Sequence, residues 1–209
     1  MKNNTTELVF IIDRSGSMAG LEEDTIGGFN AMIEKQKEVE GEVLVSTVLF
    51  SCESTVVHDR VRLEKVKPMT KKDYCVGGGT ALLDAIGGAI HHIGNIHKYA
   101  RREDVPAHTL FVITTDGMEN CSHKYSSNEI KKLIKKQEKR GWEFIFVAAN
   151  IDAVETADSI GIRRERAANY TADTKGTANL YCAMAQTVTE LRTNSKISDN
   201  WAASFEERS

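Results

Sequence analysis

Several features that would place this 209-residue protein in a special class are missing from its sequence. No stretch approaches the roughly 18 consecutive apolar residues that a membrane span needs. No charge sign is in marked excess, because 27 basic and 30 acidic side chains leave a net charge of −3, and this argues against general affinity for nucleic acid. Hydrophobic residues at 41% and charged residues at 27% are ordinary for a globular protein and argue against disorder, collagen and coiled coil.

Cysteine is also scarce, and its spacing shows no paired motif. The four cysteines are Cys52, Cys75, Cys121 and Cys182. The lack of a CxxC pair favours reduced thiols over a disulfide framework, with an approach of Cys75 to Cys121 in a zinc or redox role as the alternative. The first apolar run, residues 8–12, is too short for a signal peptide and lacks a small-residue cleavage site. The sequence therefore predicts a cytoplasmic protein.

Strand-like and helix-like segments alternate along the chain. Short runs rich in apolar and β-branched residues predict strands at 8–12, 42–50, 55–61, 109–114, 142–148 and 167–171. Apolar residues at helical spacing predict helices at 21–39, 81–99, 128–140, 153–160 and 177–191. The gap between the second and third strands is too short for a crossover, so these two strands are predicted to form an antiparallel hairpin. The predicted fold is an α/β, doubly wound, mainly parallel six-stranded sheet with one antiparallel edge strand and helices on both faces.

The predicted elements favour one domain over residues 1–193, because no repeat or low-complexity linker divides them. Residues 194–209 show no clear period and are predicted to form a C-terminal tail. Doubly wound folds place their sites beyond the carboxyl ends of the strands, so the residues that follow each strand are the first candidates for function.

Three polar segments fall at that edge of the predicted sheet. They are Asp-Arg-Ser-Gly-Ser at 13–17, Gly-Gly-Gly-Thr at 77–80 and Thr-Thr-Asp-Gly at 114–117. Alternate residues of an extended strand end point the same way, so Asp13, Ser15 and Ser17 converge. Together the segments offer two carboxylates and three hydroxyls, which are hard oxygen ligands that suit Mg²⁺, Mn²⁺ or Ca²⁺. Five protein groups leave one octahedral position open for another ligand.

These motifs, in this order, resemble the metal-ion-dependent adhesion site (MIDAS) of von Willebrand factor type A domains, and the order of elements is similar over nearly the whole chain. The resemblance implies five metal ligands: Asp13, Ser15, Ser17, Thr80 and Asp116. It implies a module that is not an enzyme, in which bound Mg²⁺, with Mn²⁺ or Ca²⁺ as alternatives, coordinates an Asp or Glu of a protein partner. In some members the last helix slides when the ligand binds, so residues 177–191 are a candidate switch element.

The resemblance also suggests which residues surround the metal and which kind of protein binds there. A partner-binding rim is expected at Arg14, Met18, Gly79, Gly117 and Glu119. Residues 148–153 further resemble stand-alone bacterial members, which often work beside ATPases or stress-response systems such as tellurite resistance. A component of that kind is the expected partner, with no nucleic acid and no membrane.

Other interpretations of the same residues stay open. Asp13 and Asp116 also suit capping of the helices that follow their strands, and Glu119 suits a solvated loop. The glycines at 77–79 lack the Gly-Lys-Ser/Thr of a phosphate-binding loop, and the basic residues at 131–140 are typical of a solvated helix face. A metal-assisted hydrolase or phosphotransferase would use the same ion, although the motifs contain no obvious general base. The third class of function is a structural or assembly protein in which the metal site only stabilises the fold.

Overall fold

The computed structural model describes residues 4–203, which form one sheet between two layers of helices. The strands are β1 (Thr6–Asp13), β2 (Val43–Phe50), β3 (Ser54–Arg62), β4 (His108–Thr115), β5 (Trp142–Ala148) and β6 (Ala167–Asn169). The helices are α1 (Glu22–Lys37), α2 (Leu82–Tyr99), α3 (Ser127–Glu138), α4 (Ala153–Ile160) and α5 (Thr174–Asn194). None of these helices combines the length and apolar character needed to cross a membrane.

The sheet has the strand order β3-β2-β1-β4-β5-β6. Every neighbouring pair is parallel except β2 and β3, which form the antiparallel hairpin. The predicted fold class, with six strands and one antiparallel edge strand, is therefore confirmed. β1 is buried along its whole length, because Leu8 and Phe10 face one core whereas Val9 and Ile11 face the other.

The path of the chain creates a crevice at the centre of the sheet. α1 and α5 cover one face, and α2, α3 and α4 cover the other. The chain passes from β1 to β2 over the first face and returns through α2 to β4 over the second. The direction of winding therefore switches between β1 and β4, and this switch point is where doubly wound sheets bind their ligands. Asp13 ends β1, and Asp116 directly follows β4.

α5 is longer than the predicted 177–191 at both ends. It begins earlier because Asp173 caps it, with Oδ1 accepting a hydrogen bond from the backbone N–H of Gly176 at 2.6 Å. A short polar residue such as Asp often marks the start of a helix, and the sequence analysis did not use Asp173 in this way. The helix then runs on to Asn194.

Residues 195–203, the first part of the predicted tail, pack against the chain before α5. The Arg166 guanidinium donates to the carbonyl oxygens of Ile197 (3.0 Å) and Ser198 (2.9 Å), and Trp201 Nε1 donates to the Glu165 carbonyl oxygen at 2.8 Å. Ile197 and Trp201 are buried in the core beneath α5. Residues 204–209 lie outside the described residues, and the domain boundary at 193 stays a prediction.

His58 on β3 anchors the segment that leads from the hairpin to α2. Its Nδ1 lies 3.1 Å from Thr47 Oγ1, and its Nε2 lies 3.1 Å from the Lys67 carbonyl oxygen. Burial lowers the pKa of His58, so below a pH of about 6.5 the unfolded chain takes up a proton that the folded chain resists. The contribution of His58 to the free energy of unfolding is therefore expected to fall as the pH is lowered from 7 to 5. In thermal melts, His58→Gln should show a smaller loss over that interval, and an unchanged loss would contradict this account.

Candidate metal centre

Asp13 is fully buried at the end of β1, and both of its carboxylate oxygens accept hydrogen bonds. Oδ1 accepts from the backbone N–H of Ser15 at 2.7 Å, and Oδ2 accepts from Thr115 Oγ1 at 2.6 Å. β1 and β4 are parallel neighbours in which Ile12 stands opposite Thr114, so Thr115 comes next to Asp13. These two bonds fix the orientation of the carboxylate. The sequence analysis missed Thr115, whose signal was its place at the end of the neighbouring strand.

Asp116 is also buried, and its two oxygens differ in their surroundings. Oδ1 accepts a hydrogen bond from Ser17 Oγ at 2.5 Å, and Ser17 Oγ in turn lies 3.0 Å from Ser15 Oγ. Oδ2 has no hydrogen-bond partner within the part of the chain that the structure describes. A buried carboxylate oxygen without a partner carries a free-energy penalty that a bound cation would offset. This atom is the direct structural argument for a ligand at the site.

Thr80 precedes α2 and is far in sequence from Asp13 and Asp116. Its hydroxyl nevertheless lies near the same site. A β carbon at Gly117 would lie 3.2 Å from Ser17 Oγ and 3.4 Å from Thr80 Oγ1, so the two hydroxyls flank this glycine. A larger residue at 117 would push both of them away. The structure thus brings the five predicted ligands together; that they bind a metal stays a prediction.

Two backbone hydrogen bonds hold the first loop against the second. The N–H of Gly16 donates to the Gly78 carbonyl oxygen at 3.0 Å, and the N–H of Gly77 donates to the Arg14 carbonyl oxygen at 2.9 Å. Gly78 has a φ of 79°, a left-handed conformation that favours glycine. The run of glycines therefore serves this close contact, and its backbone carries the chain directly into Thr80.

The loop after β4, residues 116–126, fixes Thr80 from the opposite side. Asn120 Oδ1 accepts from the Thr80 N–H at 2.9 Å, and the Asn120 N–H donates to the Thr80 carbonyl oxygen at 3.0 Å. Glu119 accepts from the backbone N–H groups of Leu83 (2.9 Å) and Ser122 (2.7 Å). Glu119 thereby joins the start of α2 to the loop.

Of the predicted rim residues, one is buried and another is hydrogen-bonded to the backbone around it. Met18 is only 4% exposed, so the expectation that it lines the rim is wrong, and its apolar side chain is buried with the core residues. Glu119 uses its carboxylate to bind backbone N–H groups of its own loop and of α2, and its contribution to partner binding stays a prediction. Met118, which the sequence analysis did not consider, follows Gly117 and is 73% exposed.

The other rim residues lie where a partner could reach them. Arg14, Gly79 and Gly117 are partly exposed, and Arg14 Nη2 donates to Thr55 Oγ1 on β3 at 2.8 Å. Their contribution to partner binding stays a prediction.

The electrostatics of the site are those of a buried pair of carboxylates. Burial raises the pKa of Asp13, and hydrogen bonds from Thr115 and Ser15 oppose this rise. Burial also raises the pKa of Asp116, and the charge of Asp13 raises it further. The ionised forms are thus disfavoured, and a divalent cation would stabilise them. Among the described residues no group of three or more His, Cys, Asp or Glu side chains could hold a metal, and the groups that this site offers to a cation are two carboxylates and hydroxyl oxygens.

The cysteines depart from the prediction of reduced thiols. Cys52 and Cys121 form a disulfide with a Cα–Cα distance of 5.5 Å, whereas Cys75 and Cys182 are free and exposed. Cys121 is therefore paired with Cys52 rather than approached by Cys75. The reason is topological: the sheet brings the β2–β3 turn beside the loop after β4, and the 69-residue separation of the two cysteines gave no local signal.

Comparisons with known proteins find similarity in structure alone. No family model and no curated protein sequence matches this chain. The vWF domain of the type V pili tip protein Mfa5 from Porphyromonas gingivalis superposes with a TM-score of 0.65 at 11% identity, covering 93% of this chain and 98% of that one. The manganese-loaded TRAP protein of Plasmodium vivax gives a TM-score of 0.57 at 18% identity, covering 86% of this chain and 73% of that one.

A third similar structure is proximal thread matrix protein 1 from the mussel byssus, solved with a zinc-occupied MIDAS motif. Its TM-score is 0.56 at 14% identity, over 88% of this chain and 46% of that one. The chain thus spans just under half the length of the mussel protein. At these identities the likeness concerns the fold.

Proposed function

Because the chain has the von Willebrand factor type A fold, we propose that it is a protein-binding module that depends on a divalent cation and is not an enzyme. The observation that carries the proposal is the convergence of two buried carboxylates and three hydroxyls at the switch point, where Asp116 Oδ2 lacks a partner among the described residues. Manganese in the Plasmodium protein and zinc in the mussel protein are metals of similar folds and support the same chemistry.

The residues that would hold the ion are Asp13, Ser15, Ser17, Thr80 and Asp116. When bound, Mg²⁺, the ion we propose, supplies a hard Lewis-acid centre that accepts a carboxylate oxygen from an Asp or Glu of the partner. Thr115 and the backbone of Ser15 hold the Asp13 carboxylate in one orientation. Ser17 is exposed whereas the other four are buried, so a partner would approach from the side of Ser17.

The cellular location is a separate part of the proposal. The cytoplasm was predicted without reference to the cysteines, whereas the Cys52–Cys121 disulfide favours an oxidising compartment or a redox role. A cytoplasmic location therefore stays a prediction that depends on sequence alone.

The test is selection of displayed random peptides on the wild-type protein in Mg²⁺. Selected peptides are expected to contain an Asp or Glu, to be released by excess chelator, and to lose affinity when that residue becomes Asn or Gln. Asp13→Ala, shown to be folded by circular dichroism, should select no such peptides. Asp13→Ala removes the shorter hydrogen bond of the Thr115 hydroxyl and leaves it only the Gly117 carbonyl oxygen as acceptor, so Ser17→Ala serves as a second variant should Asp13→Ala fail to fold.

Two results would contradict the proposal. Peptides that stay bound in excess chelator would exclude a metal bridge. Mg²⁺-dependent hydrolysis of a phosphoester that disappears in Ser17→Ala would favour a metal-assisted hydrolase instead.

A further inference from the structure

The disulfide joins two segments that flank the candidate metal site without supplying a ligand to it. Cys52 lies in the turn between β2 and β3, and Cys121 lies in the loop after β4. Between these two segments runs the backbone of residues 77–81, which carries Thr80.

Gly79, the residue before Thr80, packs directly against the disulfide. Its N–H donates a hydrogen bond to Cys52 Sγ at 3.1 Å. A β carbon at Gly79 would lie 3.2 Å from Cys52 Sγ and 3.3 Å from Cys121 Cβ. No free space therefore separates the sulfur atoms from the backbone that enters Thr80.

The two segments that the disulfide joins also hold Thr80 and its neighbour by hydrogen bonds. The Cys121 N–H donates to the Thr80 carbonyl oxygen at 3.2 Å, and the Ala81 N–H donates to the Ser51 carbonyl oxygen at 2.8 Å. The loop after β4 thus bonds to Thr80, and the turn between β2 and β3 bonds to Ala81. The disulfide holds these two segments together.

The disulfide is accessible to a reductant. Cys52 is exposed and Cys121 is partly exposed. Exposed disulfides are the labile and regulatory ones, whereas purely structural disulfides resist reduction. Cys52 is the more exposed of the two cysteines.

We propose that the Cys52–Cys121 disulfide is a reversible redox lock on the metal site. The oxidised form holds Thr80 in place for the cation, and reduction by a dithiol lowers the affinity for metal and, with it, for an acidic partner. This inference rests on the proposed function of the site. In the reaction a dithiol thiolate attacks Cys52 Sγ, the S–S bond breaks, and Cys121 leaves as a thiolate that takes up a proton. The second thiol then displaces Cys52, so the dithiol becomes a disulfide and the protein gains two thiols.

The experiment compares Mg²⁺ affinity by calorimetry for oxidised and reduced protein, with the reductant removed under nitrogen and the thiols counted. We expect two free thiols before reduction, four after it, and affinity about 10-fold weaker in the reduced form, the lower end of what loss of an outer contact to a metal ligand costs. Cys52→Ser/Cys121→Ser should match the reduced form. Cys75→Ser/Cys182→Ser should keep the full redox difference, because both of these thiols are free and exposed.

Hydrogen exchange of the Gly79 and Thr80 amides provides a readout that does not depend on metal. Reduction should speed exchange of Gly79, which loses its sulfur acceptor. Equal Mg²⁺ affinity in the two redox states, or four free thiols that mild oxidation cannot pair, would overturn the lock. If neither state bound Mg²⁺, the proposed function would fail, whereas unchanged exchange would show that the disulfide does not hold the loop.

Discussion

Asp116→Asn is expected to abolish Mg²⁺ and Mn²⁺ binding and to leave the metal-free protein at least as stable as the wild type. The buried carboxylate has one oxygen without a partner among the described residues, and Asp13 lies nearby. Because its pKa in the folded protein is raised, the ionised form lowers stability at neutral pH, and the neutral amide removes that penalty. The wild type should gain about 2.7 kcal/mol when Mg²⁺ is present at 100 times its dissociation constant, whereas the variant should gain nothing. Thermal melts with and without Mg²⁺ measure both effects.

Asp152→Asn is the matched control, because it makes the same chemical change at a residue that is not a predicted ligand. Asp152 is exposed and caps α4, with Oδ1 accepting from the Glu155 N–H at 2.8 Å. Asparagine caps helices about as well as aspartate, so this variant should keep the full Mg²⁺ response. Mg²⁺ binding that survives in Asp116→Asn would show that the carboxylate is not a ligand. A large loss of stability in the metal-free variant would show that Asp116 is mainly structural.

The sequence was sufficient to predict the architecture and the convergence of the five side chains that are candidate ligands. Solid apolar runs such as residues 8–12 belong to strands that are buried on both faces, and few elements besides such strands produce a run this short and this apolar. Parallel strands then end at one edge of the sheet, so Asp13 and Asp116 had to approach each other once β1 and β4 were neighbours. The pattern of apolar residues and the order of the elements determine where these side chains lie, and both can be deduced from a single sequence.

What surrounds the ligands could not be predicted, because it depends on how separate loops pack. Met18 and Met118 have the same side chain and both lie close to predicted ligands, yet one is buried and the other is exposed. The pairing of Cys52 with Cys121 depends on a turn and a loop that meet only in the folded sheet. Loop conformation is set by many weak contacts, which no local sequence pattern encodes.

Gly28→Ala is expected to lower the free energy of unfolding by about 1–3 kcal/mol, even though alanine is the better helix former. Gly28 lies in α1 where this helix packs on α5, and a β carbon there would lie 2.3 Å from Cδ2 and 2.8 Å from Cγ of Tyr181. These atoms belong to a buried ring that lines a groove between α1 and α5 together with Gly28, so the clash is relieved either by a turn of the ring or by a shift of α5. A shift of α5 relative to α1 is the motion that a switch role for α5 would require. Urea unfolding of the metal-free protein measures the loss.

Gly27→Ala provides the control at the neighbouring position of the same helix. Gly27 is exposed, and a β carbon there would meet no atom within 4 Å. This variant should gain about 1 kcal/mol, since only the helix propensity changes. The two substitutions should therefore move stability in opposite directions although they differ by one residue in position. If Gly28→Ala were as stable as Gly27→Ala, the packing of α1 against α5 would be loose enough to absorb a methyl group, and Tyr181 would not fix the position of α5.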